Sequence, residues 1–225
     1  CIPRVPSKEP GIPKDLGTNL MSEAEHLMIV ARPGDEVLYG GSLFATDSNI
    51  TVVCLTGGQD ADLRRSFRHS MNYWEIENFH IWNYIYHDPR SFPQGSKVID
   101  EHLAYCQDEL SPAYLRLHNM LQDAEGFSSV ITHNDSNNFH HAFDIAVHNL
   151  VKDLLTHRKA GGYAPCEDCE IFYVFDYHDT EKVSSDILQG KLISLDEYDR
   201  PDIWDVSNER LRYLTNEKIR PYSCE

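Results

Sequence analysis

The sequence predicts an α/β domain of the Rossmann-like type, a three-layer α/β/α sandwich in which helices cover both faces of a mostly parallel sheet. Two observations support this prediction. Several short apolar runs lack the polar alternation of half-exposed strands, which is typical of strands that are buried on both faces. These runs alternate with longer segments of helical periodicity, and the order β-α-β-α-β-α-β implies right-handed crossovers between parallel strands.

The composition is consistent with one sizeable domain. The chain has 225 residues, of which 41% are hydrophobic and 11% aromatic, enough for a single packed core. Residues 1–24 contain four prolines and two glycines with little periodicity, and we expect them to form an extended arm. Residues 25–225 show no repeat and no clear internal boundary, so they are predicted to form one domain.

The individual elements follow from apolar runs and the residues that break them. The first predicted strand covers residues 27–31, and a Pro-Gly pair stops it before Asp35 and Glu36 open a helix that extends to about residue 45. The second strand, residues 49–55, is rich in β-branched residues. The remaining predicted elements are a helix at 61–78, a strand at 79–86, a helix at 97–125 interrupted at Ser111-Pro112, a strand at 127–132, a helix at 139–157, a strand at 170–176 and a helix at 208–218.

Charge and cysteine content exclude some classes of protein. The net charge of −16 argues against nonspecific binding of nucleic acid or of an anionic membrane, because the summed field repels both. No apolar run approaches the roughly 20 residues of a membrane-spanning helix. Cys1 and Cys224 would pair if the termini lie close, and Cys166 and Cys169 favour plain thiols or a local disulfide over a metal site. Glycosylation sequons at 49–51 and 134–136 would be used only in a secreted chain, and export is the expected location.

Side chains capable of chemistry follow two of the predicted strands. Asp35 comes directly after the first strand, and the histidine-rich segment 133–148 follows the fourth. Because the carboxyl ends of parallel strands meet at one edge of the sheet, where ligands usually bind, we expect these two turns to lie side by side. A metal ion needs three or four converging ligands, and the turns offer Asp35, His133, His141 and Asp144. A plain polar surface is the competing interpretation.

The motifs at these two turns resemble those of a known enzyme family. Residues 31–36 read Ala-Arg-Pro-Gly-Asp-Glu, and residues 132–144 read Thr-His-Asn-Asp-Ser-Asn-Asn-Phe-His-His-Ala-Phe-Asp before an Ile-Ala-Val run. They are similar to the Ala-His-Pro-Asp-Asp-Glu and Thr-His-Asp-Pro-x-Gly-Glu-Tyr-Gly-His-Pro-Asp-His motifs of the LmbE/PIG-L-like family. That family comprises zinc-dependent de-N-acetylases, which act on N-acetylglucosamine-containing substrates. Thr56-Gly57-Gly58 with Arg64 resembles its Thr-x-Gly segment and substrate-contacting arginine, and residues 203–206 resemble its late Val-Asp-Ile strand.

The departures from the family's motifs fall on its functional positions. Carried over position by position, the resemblance places the three zinc ligands at Arg32, Asp35 and Asp144 and the general base at Gly34. Only Asp35 is retained among the ligands, while His141 keeps the position of the histidine that assists the transition state. Arginine remains protonated at ordinary pH and cannot ligate a metal, and glycine cannot accept a proton. The metal and the base of the family's mechanism are therefore both missing.

We accordingly expect a member of this family that lacks the parent chemistry and binds no metal or other cofactor. The guanidinium of Arg32 is predicted to bridge Asp35 and Asp144 where the family binds zinc. The pocket would then bind an N-acetylated sugar, a glycoconjugate or a protein partner. Substrate-contacting positions would be Arg64, Asp88, His133 and His141.

Three alternatives remain at this stage. A working metal hydrolase could hold zinc through Asp35, Asp144 and either His133 or His141, with Glu36 or Asp135 as the base. Arg32 could instead point to solvent while Asp144 lies on an exposed helix face. Nucleotide binding is disfavoured because no Gly-x-Gly-x-x-Gly or Walker-type loop follows any predicted strand.

Overall fold

The structure, a computed structural model of the chain, describes residues 25–84, 96–123, 127–135, 142–157, 171–176, 178–198 and 212–222. The predicted arm at residues 1–24 lies outside these ranges. In chain order the elements are β1 (His26–Val30), α1 (Asp35–Thr46), β2 (Ile50–Thr56), α2 (Ala61–Tyr73), β3 (Asn78–Tyr84), α3 (Ser96–Asp123), β4 (Ser129–Thr132), α4 (Ala142–His157), β5 (Phe172–Phe175), β6 (Glu181–Lys182), α5 (Ser185–Asp196), α6 (Arg212–Thr215), β7 (Asn216–Glu217) and β8 (Ile219–Pro221).

Six of the strands form one sheet in the order β3-β2-β1-β4-β5-β8. The pairs from β3 to β5 are parallel, and β8 alone pairs antiparallel, with β5. The chain builds outward from β1 to β3 and then returns to β4 on the other side of β1. The carboxyl ends of β1 and β4 thus flank the point where the strand order reverses, which is where ligands bind in open α/β sheets. The predicted Rossmann-like sandwich with a mostly parallel sheet is confirmed.

Each face of the sheet buries its own hydrophobic cluster. Leu27 and Ile29 of β1 belong to the cluster that includes α3 and α4, whereas Met28 and Val30 belong to the cluster that includes α1, α2 and α5. All four side chains are fully buried. Because successive residues of a strand point to opposite faces, a strand covered on both faces needs an uninterrupted apolar run. This is the physical reason why the sequence of β1 shows no alternation.

A buried ion pair ties α1 to the C-terminal part of the chain. Lys191 of α5 is fully buried, pairs with Glu217 of β7 and donates to the carbonyl oxygens of Leu38 (2.8 Å) and Tyr213 (2.6 Å). A Cβ atom on Gly41 would lie 2.9 Å from Cε of Lys191, so the glycine leaves the room that the lysine occupies. Burial lowers the pKa of Lys191, and Glu217 opposes this effect.

Helix α2 is shorter than the predicted 61–78. It ends at Tyr73, where the Trp74 N–H donates to the Ser70 carbonyl oxygen at 3.2 Å. Glu75 then adopts φ 59°, a left-handed conformation that a helix cannot continue through. The sequence misled because Trp74, just beyond the last helical residue, is buried and continues the helical spacing of Leu63, Phe67 and Met71.

Helix α3 runs through Pro112, so the predicted break at Ser111-Pro112 is wrong. An internal proline removes one backbone hydrogen bond. Leu110, Ala113 and Leu117 on both sides of it are buried in the cluster beneath α3 and α4, and this packing outweighs the lost bond. Among the helices that the structure describes, α3 included, none combines the length and apolar character needed to cross a bilayer.

The C-terminal region departs most from prediction. The helix expected at 208–218 is wrong over its last part: within its described residues, 212–218, the helix covers Arg212–Thr215, and the chain then forms β7 and, beyond it, β8. Pro221 is accommodated because β8 is the edge strand of the sheet. The sequence also missed α5, which begins after Ser184, whose Oγ accepts the Ile187 N–H at 3.3 Å.

Candidate functional site

The turn between β1 and α1 depends on a glycine. Gly34 has φ 95°, a backbone conformation that residues with a side chain rarely adopt. Its N–H donates to Oε2 of Glu36 at 2.8 Å. The Asp35 N–H donates to the Arg32 carbonyl oxygen at 3.1 Å, which closes the turn. Helix α1 begins at Asp35, and the carboxylate is therefore fixed at the carboxyl edge of the sheet.

A second turn meets this one from the neighbouring strand. Strand β4 pairs in parallel with β1, and Oγ1 of Thr132 donates to the Ile29 carbonyl oxygen at 2.7 Å. The next residue, His133, has its carbonyl oxygen bound by Nδ1 of His148 on α4 at 2.9 Å. Asp144 lies in the first turn of the same helix, where a carboxylate interacts favourably with the helix dipole.

These two turns bring Asp35, His133 and Asp144 together. The three side chains are at most 1% exposed, and each offers one potential ligand atom within 4.8 Å of the other two. Nε2 of His133 lies 3.8 Å from Oδ2 of Asp35, and Nδ1 lies 3.9 Å from Oδ2 of Asp144. We call this group the buried histidine cluster.

Arg32 is part of the same buried region. Its side chain is 7% exposed; Nε donates to Oδ2 of Asp35 at 3.3 Å and Nη2 donates to Oδ1 at 3.4 Å. The alternative in which Arg32 points to solvent and Asp144 lies on an exposed helix face is therefore wrong. The contact of Arg32 with Asp35 is as expected, while its predicted contact with Asp144 stays a prediction.

The hydrogen bonds of His133 fix its protonation state. The backbone N–H of Ala31 donates to Nε2 at 3.0 Å, so this nitrogen must accept and the neutral ring carries its proton on Nδ1. Burial lowers the pKa of His133 to about 4, which Asp35 opposes and Arg32 reinforces. The ring is consequently neutral at physiological pH.

Two further buried ionisable groups belong to the site, Glu36 and Tyr39, and sequence reasoning missed both Tyr39 and Tyr198, which binds Glu36. Glu36 accepts from Tyr198 Oη at 2.7 Å as well as from the Gly34 N–H, and burial raises its pKa to about 7. Burial raises the pKa of Tyr39 well above its usual value, and Asp35 acts in the same direction. The Tyr39 ring lies edge-on to the His133 ring at 5.8 Å. Tyr39 follows Asp35 by four residues, and this helical spacing was the available signal.

The other predicted site residues are placed as follows. Arg64 on α2 donates from Nη1 to the carbonyl oxygen of Gly58, at the turn after β2. Asp135 is exposed, and its Oδ2 accepts from Tyr222 Oη at 2.9 Å. Asp88 and His141 lie outside the described residues.

The buried histidine cluster does not fit a zinc ion as it stands. A ligating His133 would have to use Nδ1, which carries the proton, or Nε2, which accepts the Ala31 N–H. Moving the ring proton to Nε2 would place this N–H against the Ala31 N–H, so that two donors face each other in a fully buried position. Asp35 is in turn held by the Arg32 guanidinium, whose permanent charge would repel a dication.

The fold is shared with solved structures. The conserved protein TT1542 from Thermus thermophilus matches with a TM-score of 0.51 and 14% sequence identity, over 90% of this chain and 95% of that one. A deacetylase in the biosynthesis pathway of teicoplanin, in complex with bog, matches with a TM-score of 0.56 and 11% identity, over 89% of this chain and 100% of that one. Identities this low show a shared fold and no more. No protein-family model matches the sequence, and neither does any curated protein.

Proposed function

We propose that this chain is a de-N-acetylase-like protein that does not hydrolyse amides and that binds an N-acetylated sugar, a glycoconjugate or a protein partner at the carboxyl edge of its sheet. The double hydrogen bond from Arg32 to Asp35 is the observation that supports this best. A guanidinium lies where the resemblance expects a zinc-binding histidine. It supplies one permanent positive charge to Asp35 and cannot ligate a metal.

The neighbouring acids also argue against hydrolysis. A hydrolase without a metal needs a base that can take a proton from water. Gly34 has no side chain at the position that the resemblance gives to the base. Both carboxylate oxygens of Glu36 already accept hydrogen bonds, and Asp135 is bound by Tyr222 on the surface. Glu36 is also fully buried away from bulk water, whereas Asp135 lies on the surface.

The second candidate function is a metal-dependent N-acetylglucosamine-type deacetylase with a rearranged site. The observation that favours it is the proximity of the ligand atoms of Asp35, His133 and Asp144. It requires Arg32 to leave Asp35 and His133 to give up the Ala31 N–H. In that case Asp35→Asn would remove both metal and activity, because Asp35 is the carboxylate that the resemblance retains as a ligand.

The two candidates separate in one experiment. Purified wild-type chain is incubated with and without zinc and with N-acetylglucosaminides, and released acetate and bound zinc are measured beside those of Asp35→Asn. We expect no acetate release and no zinc that depends on Asp35. Acetate release that is lost together with one equivalent of zinc in Asp35→Asn would overturn the proposal.

Binding is tested separately with a neighbouring pair of arginines. Arg64 contacts the turn after β2, whereas Arg65 on the same helix pairs with Asp62 on the surface. Titration with N-acetylglucosamine oligomers, followed by chemical shifts, should show binding that Arg64→Gln weakens several-fold and Arg65→Gln does not. Equal binding by both variants would exclude Arg64 from the binding surface, and no binding by wild type would leave a protein partner as the occupant.

A further inference from the structure

A second histidine and carboxylate group lies at the opposite end of β1. His26 is the first residue of that strand, Glu25 precedes it, and Asp47 caps the C-terminus of α1. Each of the three offers one potential ligand atom within 4.8 Å of the others. The side chains of His26 and Asp47 are 18% and 30% exposed, and Glu25 is exposed. An ion from solvent can therefore reach this group, which we call the exposed histidine cluster.

The imidazole of His26 is oriented by a side chain on the next strand. Nδ1 lies 2.7 Å from Oγ of Ser129, the first residue of β4, and Nε2 lies 3.0 Å from Oδ2 of Asp47. A serine hydroxyl can accept a hydrogen bond from a protonated Nδ1 as readily as it can donate one to an unprotonated Nδ1. When it accepts, Nε2 presents its lone pair toward Asp47. Metal-bound histidines are held in this way, with the second ring nitrogen donating to a neighbouring acceptor.

Asp47 is oriented as well, and its position favours a cation. Its Oδ1 accepts the Asn49 N–H at 2.7 Å, which leaves Oδ2 directed at His26. The carboxylate lies at the C-terminus of α1, the negative end of the helix dipole, and the last turn of that helix carries no basic residue. Glu25 adds a second negative charge. A dication there would offset two carboxylates and a helix end.

We propose that Glu25, His26 and Asp47 form a binding site for a divalent transition-metal ion such as zinc. One imidazole and two carboxylates form a mixed ligand set that suits zinc, and water would complete the coordination. The ion would join the start of β1 to the end of α1 and so stabilise the amino edge of the sheet. This site does not depend on the proposed function, because it shares no residue with the buried histidine cluster.

The test uses zinc alone as the probe. The metal-stripped 225-residue chain is titrated calorimetrically with zinc, beside the variants His26→Gln, Ser129→Ala and His69→Gln. His69 is the matched control because it also faces a carboxylate, with Nδ1 at 3.5 Å from Oε2 of Glu197, and is 54% exposed. We expect one equivalent of zinc, binding at least tenfold weaker in His26→Gln and about tenfold weaker in Ser129→Ala, with His69→Gln like wild type.

Thermal unfolding and circular dichroism complement the titration. Zinc should raise the melting temperature of wild type and of His69→Gln but not of His26→Gln, and circular dichroism of each metal-free variant establishes that it is folded. Zinc binding that is unchanged in His26→Gln would overturn the proposal, as would the absence of zinc binding by wild type. If the buried histidine cluster also bound zinc, the equivalent lost in Asp35→Asn would not be the equivalent lost in His26→Gln. The proposed function and the proposed metal site can therefore fail separately.

Discussion

The two ends of β1 carry histidine clusters of the same composition in opposite surroundings. Each has one imidazole and two carboxylates within 4.8 Å. In the buried cluster the backbone N–H of Ala31 occupies Nε2 of His133, whereas in the exposed cluster both ring nitrogens of His26 face side chains. A side chain can rotate or change its proton position, but a backbone N–H in a strand turn cannot. The partner of the ring nitrogen, more than the proximity of ligands, therefore determines whether a histidine is available to a metal.

The clusters also differ in how their negative charge is offset. The chain itself provides the guanidinium of Arg32 to the buried carboxylate of Asp35. Among the described ion pairs, His26 is the only basic partner of Asp47, and it is charged only when protonated. A cation from solvent would therefore offset more uncompensated negative charge at the exposed histidine cluster than at the buried one.

Removing the built-in cation should give the largest effect. Arg32→Met leaves Asp35 buried without the guanidinium, and we expect a loss of about 3–5 kcal/mol in the free energy of unfolding, measured in urea. Arg65→Met breaks an exposed pair and should cost less than about 1 kcal/mol. Equal losses in the two variants would mean that Arg32 does not stabilise the buried cluster.

A pH series should detect the buried acid beside that cluster. The pKa of Glu36 rises from 4.5 to about 7 on folding, so the folded chain holds a proton that the unfolded chain releases between these values. The contribution of Glu36 is complete below pH 4.5 and is lost as the pH rises to 7, by about 3 kcal/mol. The unfolding free energy of wild type relative to that of Glu36→Gln should fall accordingly over this range. A constant difference would mean that folding does not raise the pKa of Glu36.

Replacing the buried imidazole should have a smaller effect of opposite pH dependence. His133→Phe removes the acceptor of the Ala31 N–H, and we expect a cost of about 1–3 kcal/mol at pH 7. Because the folded-state pKa of His133 is about 4, acid destabilises wild type between pH 6.5 and 4 but does not act on this position in the variant. The cost should therefore shrink at pH 5. A cost that grows in acid would show that the ring is protonated in the folded chain.

The equivalent change at the exposed end should have the smallest effect. In the absence of metal, His26→Gln removes a partly exposed contact with Asp47, and we expect a loss of no more than about 1 kcal/mol in urea unfolding. A loss as large as that of His133→Phe would mean that the two ends of β1 are stabilised in the same way.

The sequence predicted the fold and part of the site because both follow from short-range patterns. Apolar runs located the parallel strands, and the rule that their carboxyl ends meet brought Asp35 near His133 and Asp144. The decisive hydrogen bond from Ala31 to His133 joins residues 102 positions apart, and no local pattern encodes it. The same is true of His26 and Ser129, whose separation is 103 residues.

Elsewhere, tertiary packing overrode the local signals. Pro112 predicted a break that the buried side chains beside it prevent. The end of the predicted helix at 208–218 forms β7 because residues 216–217 pair with β6, and the edge of β5 then offers unpaired backbone groups to residues 219–221. Such an edge exists only after the sheet has assembled, so propensity along the chain could not reveal it.

The ion pair of Lys191 and Glu217 has a consequence for synthesis on the ribosome. Lys191 donates to the Leu38 carbonyl oxygen from a position 153 residues later in the chain, and Glu217 Oε2 accepts the Ser42 N–H from 175 residues later. During synthesis, this face of α1 therefore stays uncovered until residues 191 and 217 have been added. A ribosome stalled before residue 191 would present a nascent chain with the Gly41 face of α1 open, and this is the face that chaperones would encounter.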